Sequence, residues 1–118
     1  MVIATKSVKG QCRRMAANPK DEIPNDILAQ MRPERIGYRL MLLREAHDLK
    51  PAEMADMLGI ERTYWSRFEN GRRAITEMHA ALLVHKFGVT MDFLILGRWE
   101  RLPLELAERM RAVERSKS

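Results

Sequence analysis

The chain has 118 residues, 46% hydrophobic and only 6% aromatic, with 21 Lys plus Arg against 16 Asp plus Glu for a formal net charge of +5. That length supports one ordinary domain with flanking segments. Its longest apolar runs, Ala80 to Val84 and Phe93 to Leu96, fall well short of the roughly 20 residues needed to cross a bilayer. The single Cys12 cannot close an internal disulfide, and Lys6 and Lys9 flank no apolar segment of signal-peptide length, so a cytoplasmic protein with no membrane partner is expected.

Leu, Met and Ala dominate the apolar residues and no alternating β-branched run stands out, so the expected class is all-α. A basic balance favours a polyanionic partner, although a modest excess can also serve solubility alone. The excess lies at the ends: residues 1–20 hold Lys6, Lys9, Arg13, Arg14 and Lys20 without an acid, whereas residues 35–97 hold nine basic and eight acidic groups.

Taken in order, residues 1 to about 22 show no helical period and read as an arm, either a plain tail or a basic strand that lies along DNA. A short helix is expected from Pro24 to Met31, with Ile27, Leu28 and Met31 on one side and Pro33 ending it. The next helix should run from about Pro33 to His47, with Ile36, Leu40 and Leu43 as its core stripe. Arg35, Arg39 and Arg44 lie largely off that stripe, as solvated or paired residues.

Leu49 to Gly71 contains two short amphipathic segments. Met54, Ala55 and Leu58 precede Gly59, and Trp65 and Phe68 follow it. Pro51 suits a first helical turn, and Gly59 and Gly71 suit the left-handed position just past a helix end. The pattern is helix, tight turn, helix, with Arg62, Thr63, Tyr64, Ser66 and Arg67 left on the exposed side of the second helix. Thr76 can cap a further helix running to Lys86, with Ala80, Leu83, Val84 and Phe87 buried. Thr90 can cap a short helix through Asp92, with Val89, Phe93 and Leu94 closing the core. From Pro103 a last helix carries Leu106, Ala107, Met110 and Val113 as an apolar stripe that must be buried against something.

The stretch from Leu49 to Gly71 resembles the helix-turn-helix of the Cro and phage-repressor family, also called the XRE family. The family pattern is met at Leu49, Met54, Ala55, Leu58, Gly59, Ile60, Ser66, Glu69, Asn70 and Gly71. The resemblance implies a five-helix DNA-binding domain over about 35–97, flanked by an N-terminal segment (1–34) and a C-terminal helix (98–118). It also implies that the helix after the turn enters the major groove. By position, Arg62, Thr63 and Arg67 are then the base-reading candidates. Lys50, Tyr64, Ser66, Asn70, Arg72 and Arg73 are phosphate or mixed contacts. Three departures stand out. Lys50 and Pro51 replace the family's Ser and Gln, Glu61 stands where a small capping residue is usual, and Trp65 replaces a β-branched core residue, so it must fit against Ala55 or partly surface.

No enzyme is expected. His47, His79 and His85 do not converge on one helix face, and there is neither a CxxC pair nor a phosphate-binding glycine loop, so no cofactor, metal or catalytic residue is assigned. The expected function is a transcriptional regulator, a repressor occupying an inverted-repeat operator as a homodimer, with Leu106, Met110 and Val113 as dimer candidates. The alternative is an antitoxin or adaptor that binds a protein partner through its flanks and regulates its own expression through the helix-turn-helix.

Overall fold

Prolines and capping residues divide the chain as the pattern implies. The computed structural model describes residues 19–117, so the expected basic arm before Pro19, with Cys12, lies outside the described residues. After one 3-10 turn at Pro19–Glu22, the helices are α1 (Asn25–Gln30), α2 (Pro33–Ala46), α3 (Pro51–Leu58), α4 (Arg62–Glu69), α5 (Glu77–Phe87), α6 (Met91–Leu96) and α7 (Leu104–Lys117). No strand occurs among the described residues, and the class is all-α. Pro33 and Pro51 occupy first turns, where a missing N–H costs nothing. Thr76 Oγ1 accepts from the His79 backbone N–H at 3.2 Å, and Thr90 Oγ1 from that of Phe93 at 3.0 Å, so both expected caps form.

The turn between α3 and α4 rests on Gly59, whose φ of +69° is left-handed. Its N–H donates to the Asp56 carbonyl at 3.2 Å and the Ile60 N–H to that of Ala55 at 3.1 Å. This paired closure satisfies carbonyls that the end of α3 would otherwise leave open.

One core joins these helices. Leu40, Leu43, Met54, Ala55, Trp65, Leu83, Phe93 and Leu94 have no exposed surface. Trp65 is therefore fully accommodated instead of partly surfacing. Val84 and Phe87 are only half-buried, because the core-facing side of α5 is carried by Ala80 and Leu83.

The core does not stop at Gly97. Leu102 is buried, Trp99 meets Phe93 edge to face at 4.9 Å, and the chain turns back to lay α7 along α2. Leu106 is 6% exposed and Met110 0%, with Val113 half-buried. The expectation that Leu106, Met110 and Val113 offer a dimer surface is corrected here: α7 needs its stripe to cover the second side of α2, where Leu42 is also fully buried. Lys117 with Glu45 at 3.2 Å and Tyr38 Oη donating to Glu114 at 3.3 Å tie the far end of α7 to α2.

Arg39, expected at the surface or in an ion pair, is 5% exposed. It donates through Nε to the Leu94 carbonyl at 3.1 Å and through Nη1 to Gln30 Oε1 at 2.9 Å, and it also bonds the carbonyls of Gln30 and Ile95. A cation at the end of α6 meets carbonyls that have no helical partner. Burial first, then neighbouring Arg35, pull its pKa down to about 10, which leaves it charged at neutral pH.

Two contacts set where α4 lies. Glu69, at its last residue, accepts from Arg44 Nε at 2.5 Å, from Arg44 Nη2 at 3.2 Å and from Trp65 Nε1. Arg44 Nη1 also donates to the Leu49 carbonyl at 2.8 Å. At Gly37 the backbones of α2 and α4 come so close that a Cβ there would lie 2.5 Å from the carbonyl oxygens of Phe68 and Glu69.

Removing Glu69 would leave the mostly buried Arg44 guanidinium only the Leu49 carbonyl and Glu45, 3.5 Å from Nη2, so Glu69→Ala is expected to cost about 1–3 kcal/mol for the donors left unmet, read by thermal melting. Gly37→Ala is expected to destabilise by about 1–3 kcal/mol through forced displacement of α4, although alanine is the better helix former. A variant as stable as the parent would show that α2 and α4 are farther apart than described.

Candidate nucleic-acid interface

With a residue every 100° around its axis, an eight-residue helix cannot bury more than one side. In α4 that side is Trp65 and Phe68, whose rings meet edge to face at 6.5 Å, with Glu69 half-buried beside them. Arg62, Thr63, Tyr64, Ser66 and Arg67 are all exposed. By helical geometry Thr63 and Arg67 occupy the middle of the outward arc, Arg62 and Ser66 one flank and Tyr64 the other.

The remaining candidates border this helix in sequence. Lys50 is exposed just before α3, and Asn70, Arg72 and Arg73 are exposed in the segment leaving α4. Asn70 Nδ2 donates to Ser66 Oγ at 3.2 Å, so these two are joined as one polar unit. The N–H groups of Arg72 and Arg73 both donate to the Arg67 carbonyl, at 2.9 and 3.3 Å. Those bonds continue the end of α4 into the loop and hold its two basic residues near the arc. Arg73 Cζ lies 5.1 Å from the centre of the Tyr64 ring.

Arg62 could have paired with Glu61 or Glu69; its carboxylate is instead Asp56 of α3, 3.4 Å away. Both side chains are well exposed, and such a pair is worth little in water, so it does not restrain Arg62 from another anion. The spacing of six residues is not a helical one, which is why the pairing is invisible until the turn brings α3 and α4 together. Arg67 could have paired with Glu69, but Glu69 is turned inward to Arg44 and Trp65. Arg67 makes no ion pair among the described residues.

The start of α3 compensates in part for the departures there. The Lys50 N–H donates to Glu53 Oε1 at 2.8 Å, which supplies one half of a capping box from the glutamate three residues on. A lysine ammonium has no lone pair to accept the reciprocal bond, so that charge stays at the surface. Glu61 precedes α4 in extended conformation and makes no side-chain cap bond.

Sequence reasoning missed Asp56 and the inward use of Glu69. It also missed His79, which bonds Thr76 Oγ1 through Nδ1 at 2.8 Å and lies 5.9 Å from the Phe68 ring. That contact braces the loop carrying Arg72 and Arg73. The Thr76 cap signal was present, but the histidine's role depends on the packing of α5 behind α4.

Comparison with known proteins agrees with this geometry. A family model for a helix-turn-helix domain matches residues 35–92. The antitoxin PezA of Streptococcus pneumoniae serotype 4 is similar, 36% identical over 55 residues, which are 47% of this chain and 35% of that protein. The chain thus matches only about a third of that relative's length. No solved structure matches. Among the described residues, no helix is long and apolar enough to cross a membrane. Residues 35–92, from α2 into α6 and with the exposed arc of α4 at their centre, form a domain of the helix-turn-helix family.

Proposed function

We propose that the protein is a sequence-specific transcriptional regulator that binds double-stranded DNA through α4 and represses by occupying an operator in the cytoplasm. The observation that carries this reading is Arg67, in the middle of the exposed arc, which makes no ion pair among the described residues, while Glu69, two residues on, is committed to Arg44 and Trp65. In the major groove an arginine can donate two bonds to the paired acceptors of guanine, and Thr63 and Arg62 can reach neighbouring base edges. Lys50, Asn70, Arg72 and Arg73 would set the register on the phosphates, with Ser66 at the border of the two groups. The chemistry is binding, not catalysis, and it needs no cofactor.

One short helix reads too few base pairs to select a site in a genome, so two copies on an inverted repeat are part of the proposal. Half-site centres would lie about 34 Å, or ~10 base pairs, apart. Because Leu106 and Met110 are taken up in the core, the surface joining two copies lies elsewhere than the inner face of α7.

A second reading is favoured by the likeness to a protein named an antitoxin. In that case surfaces outside residues 35–92 bind a protein partner, and the DNA-binding domain regulates the protein's own gene. Co-purification with the product of an adjacent reading frame, at fixed stoichiometry, would support it over a stand-alone repressor.

Selection from a random duplex pool should return an inverted repeat with at least one G·C pair in each half. Arg67→Ala should weaken that site by about 1–3 kcal/mol and relax the choice at one base pair, read by gel-shift titration. Equal weakening on every sequence would make Arg67 a phosphate contact. A single asymmetric site bound with full affinity by one copy, shown by light scattering of the complex, would overturn the two-fold arrangement.

A further inference from the structure

Tyr64 and Arg73 belong to different segments, the ring to the flank of α4 and the guanidinium to the loop that leaves it. Their 5.1 Å separation lies within the roughly 6 Å over which a cation is drawn to an aromatic face. Tyr64 is 39% exposed, and its ring stands at the border of the solvent-facing arc. Arg73 makes no ion pair or side-chain hydrogen bond among the described residues, so the ring is what holds its side chain. Its backbone is meanwhile fixed to the end of α4 through the Arg67 carbonyl.

A residue in such a border position invites the assumption that its own hydroxyl meets the DNA. The geometry points to another role. We propose that Tyr64 is a positioning residue, whose ring presents the Arg73 guanidinium to a phosphate oxygen beside the groove that α4 enters. This rests on the reading of α4 as the DNA-contacting helix. A cation over a ring uses the ring's face and leaves N–H donors at the guanidinium's edge free for an oxyanion, so stacking and phosphate binding are compatible. An unstacked arginine on an open loop must give up side-chain freedom when it binds, and one already held by a ring gives up less. The consequence is a link between two tasks. The helix that reads bases also places, through Tyr64, one of the contacts that fixes its register on the backbone.

The test is fluorescence-anisotropy titration across a range of salt concentrations. Two labelled duplexes are used, the tightest one selected from the random pool and a random-sequence duplex of the same length. Arg73→Ala should weaken both and lower the slope of log affinity against log salt by about 1. Tyr64→Ala should weaken both by about two- to fivefold, the value of an exposed cation–ring contact, whereas Tyr64→Phe, which keeps the ring and drops the hydroxyl, should bind as the parent does. In the Arg73→Ala background Tyr64→Ala should add no further loss. Tyr64→Phe as weak as Tyr64→Ala, or losses that add in the double variant, would overturn the proposal.

A second measurement needs no DNA. In the free protein the side-chain methylene protons of Arg73 should be shifted upfield by the ring current in the parent and in Tyr64→Phe, and return to ordinary values in Tyr64→Ala. An unshifted parent removes the stack and the positioning role together. A parent that shows the shift but binds neither duplex at any salt would instead refute the DNA-binding reading, and the positioning role with it.

Discussion

The orientation of the exposed helix depends on a carboxylate that faces away from solvent. Glu69 closes α4, and its oxygens take hydrogen bonds from Arg44 of α2 and from the indole of Trp65. The pair is largely withdrawn from water, with side-chain exposures of 11% and 13%. Taking two charges out of water is costly, and good geometry with every remaining donor and acceptor occupied is what offsets it. Each nitrogen of Arg44 has a partner, since Nη1 donates to the Leu49 carbonyl and Nη2 also lies 3.5 Å from Glu45, so one guanidinium joins α2, the entry to α3 and the end of α4. A purely apolar contact could bury as much surface, but it would not define the rotation of α4 so narrowly.

That rotation has a functional consequence. If Glu69 pointed outward, it would lie one turn from Ser66 and two turns from Arg62, and it would bring negative charge to the surface meant for an anionic duplex. Turned inward, it leaves Arg67 without an ion pair among the described residues and keeps its own charge off the arc. Gly37 adds a steric part to the same arrangement, since only a residue without Cβ lets α2 approach the carbonyls of Phe68 and Glu69 so closely. The ion pair and the glycine therefore act on the same two helices, one by attraction and one by the absence of an obstacle. The arc's remaining parts are then supplied locally. The Gly59 turn aims α4, the Thr76 cap with His79 braces the loop behind it, and Tyr64 holds Arg73 at its border.

Much of this was legible from local pattern. The helices, the Gly59 turn, the two threonine caps and the inward direction of Trp65 and Phe68 follow from residue spacing and from the chemistry of helix ends. What the sequence left unread are contacts between residues far apart in the chain. Glu69 with Arg44, 25 positions away, and Arg39 with Leu94, 55 away, appear as surface charges until the helices are packed. The C-terminal helix shows the same limit from the other side. The period of Leu106 and Met110 demanded a covering surface, but no pattern within α7 could tell a second copy from α2 of the same chain. The answer lay in the return of the chain at Trp99 and Leu102, which is irregular backbone without a period of its own. Among the site residues, exposure followed directly from helical spacing; the pairing of Arg62 with Asp56 and the freedom of Arg67 did not.

The claim that the outward arc of α4 is the surface that meets DNA can be tested residue by residue, because a 13.8 kDa chain is well suited to amide NMR. Titration of the labelled protein with its selected duplex should move the backbone amides of Arg62 to Arg67 and of Arg72 and Arg73 most. The amides of Leu104, Glu108 and Ala112 on the outer face of α7 should stay in place. The largest changes falling on α7 or α1, with α4 unmoved, would contradict the account.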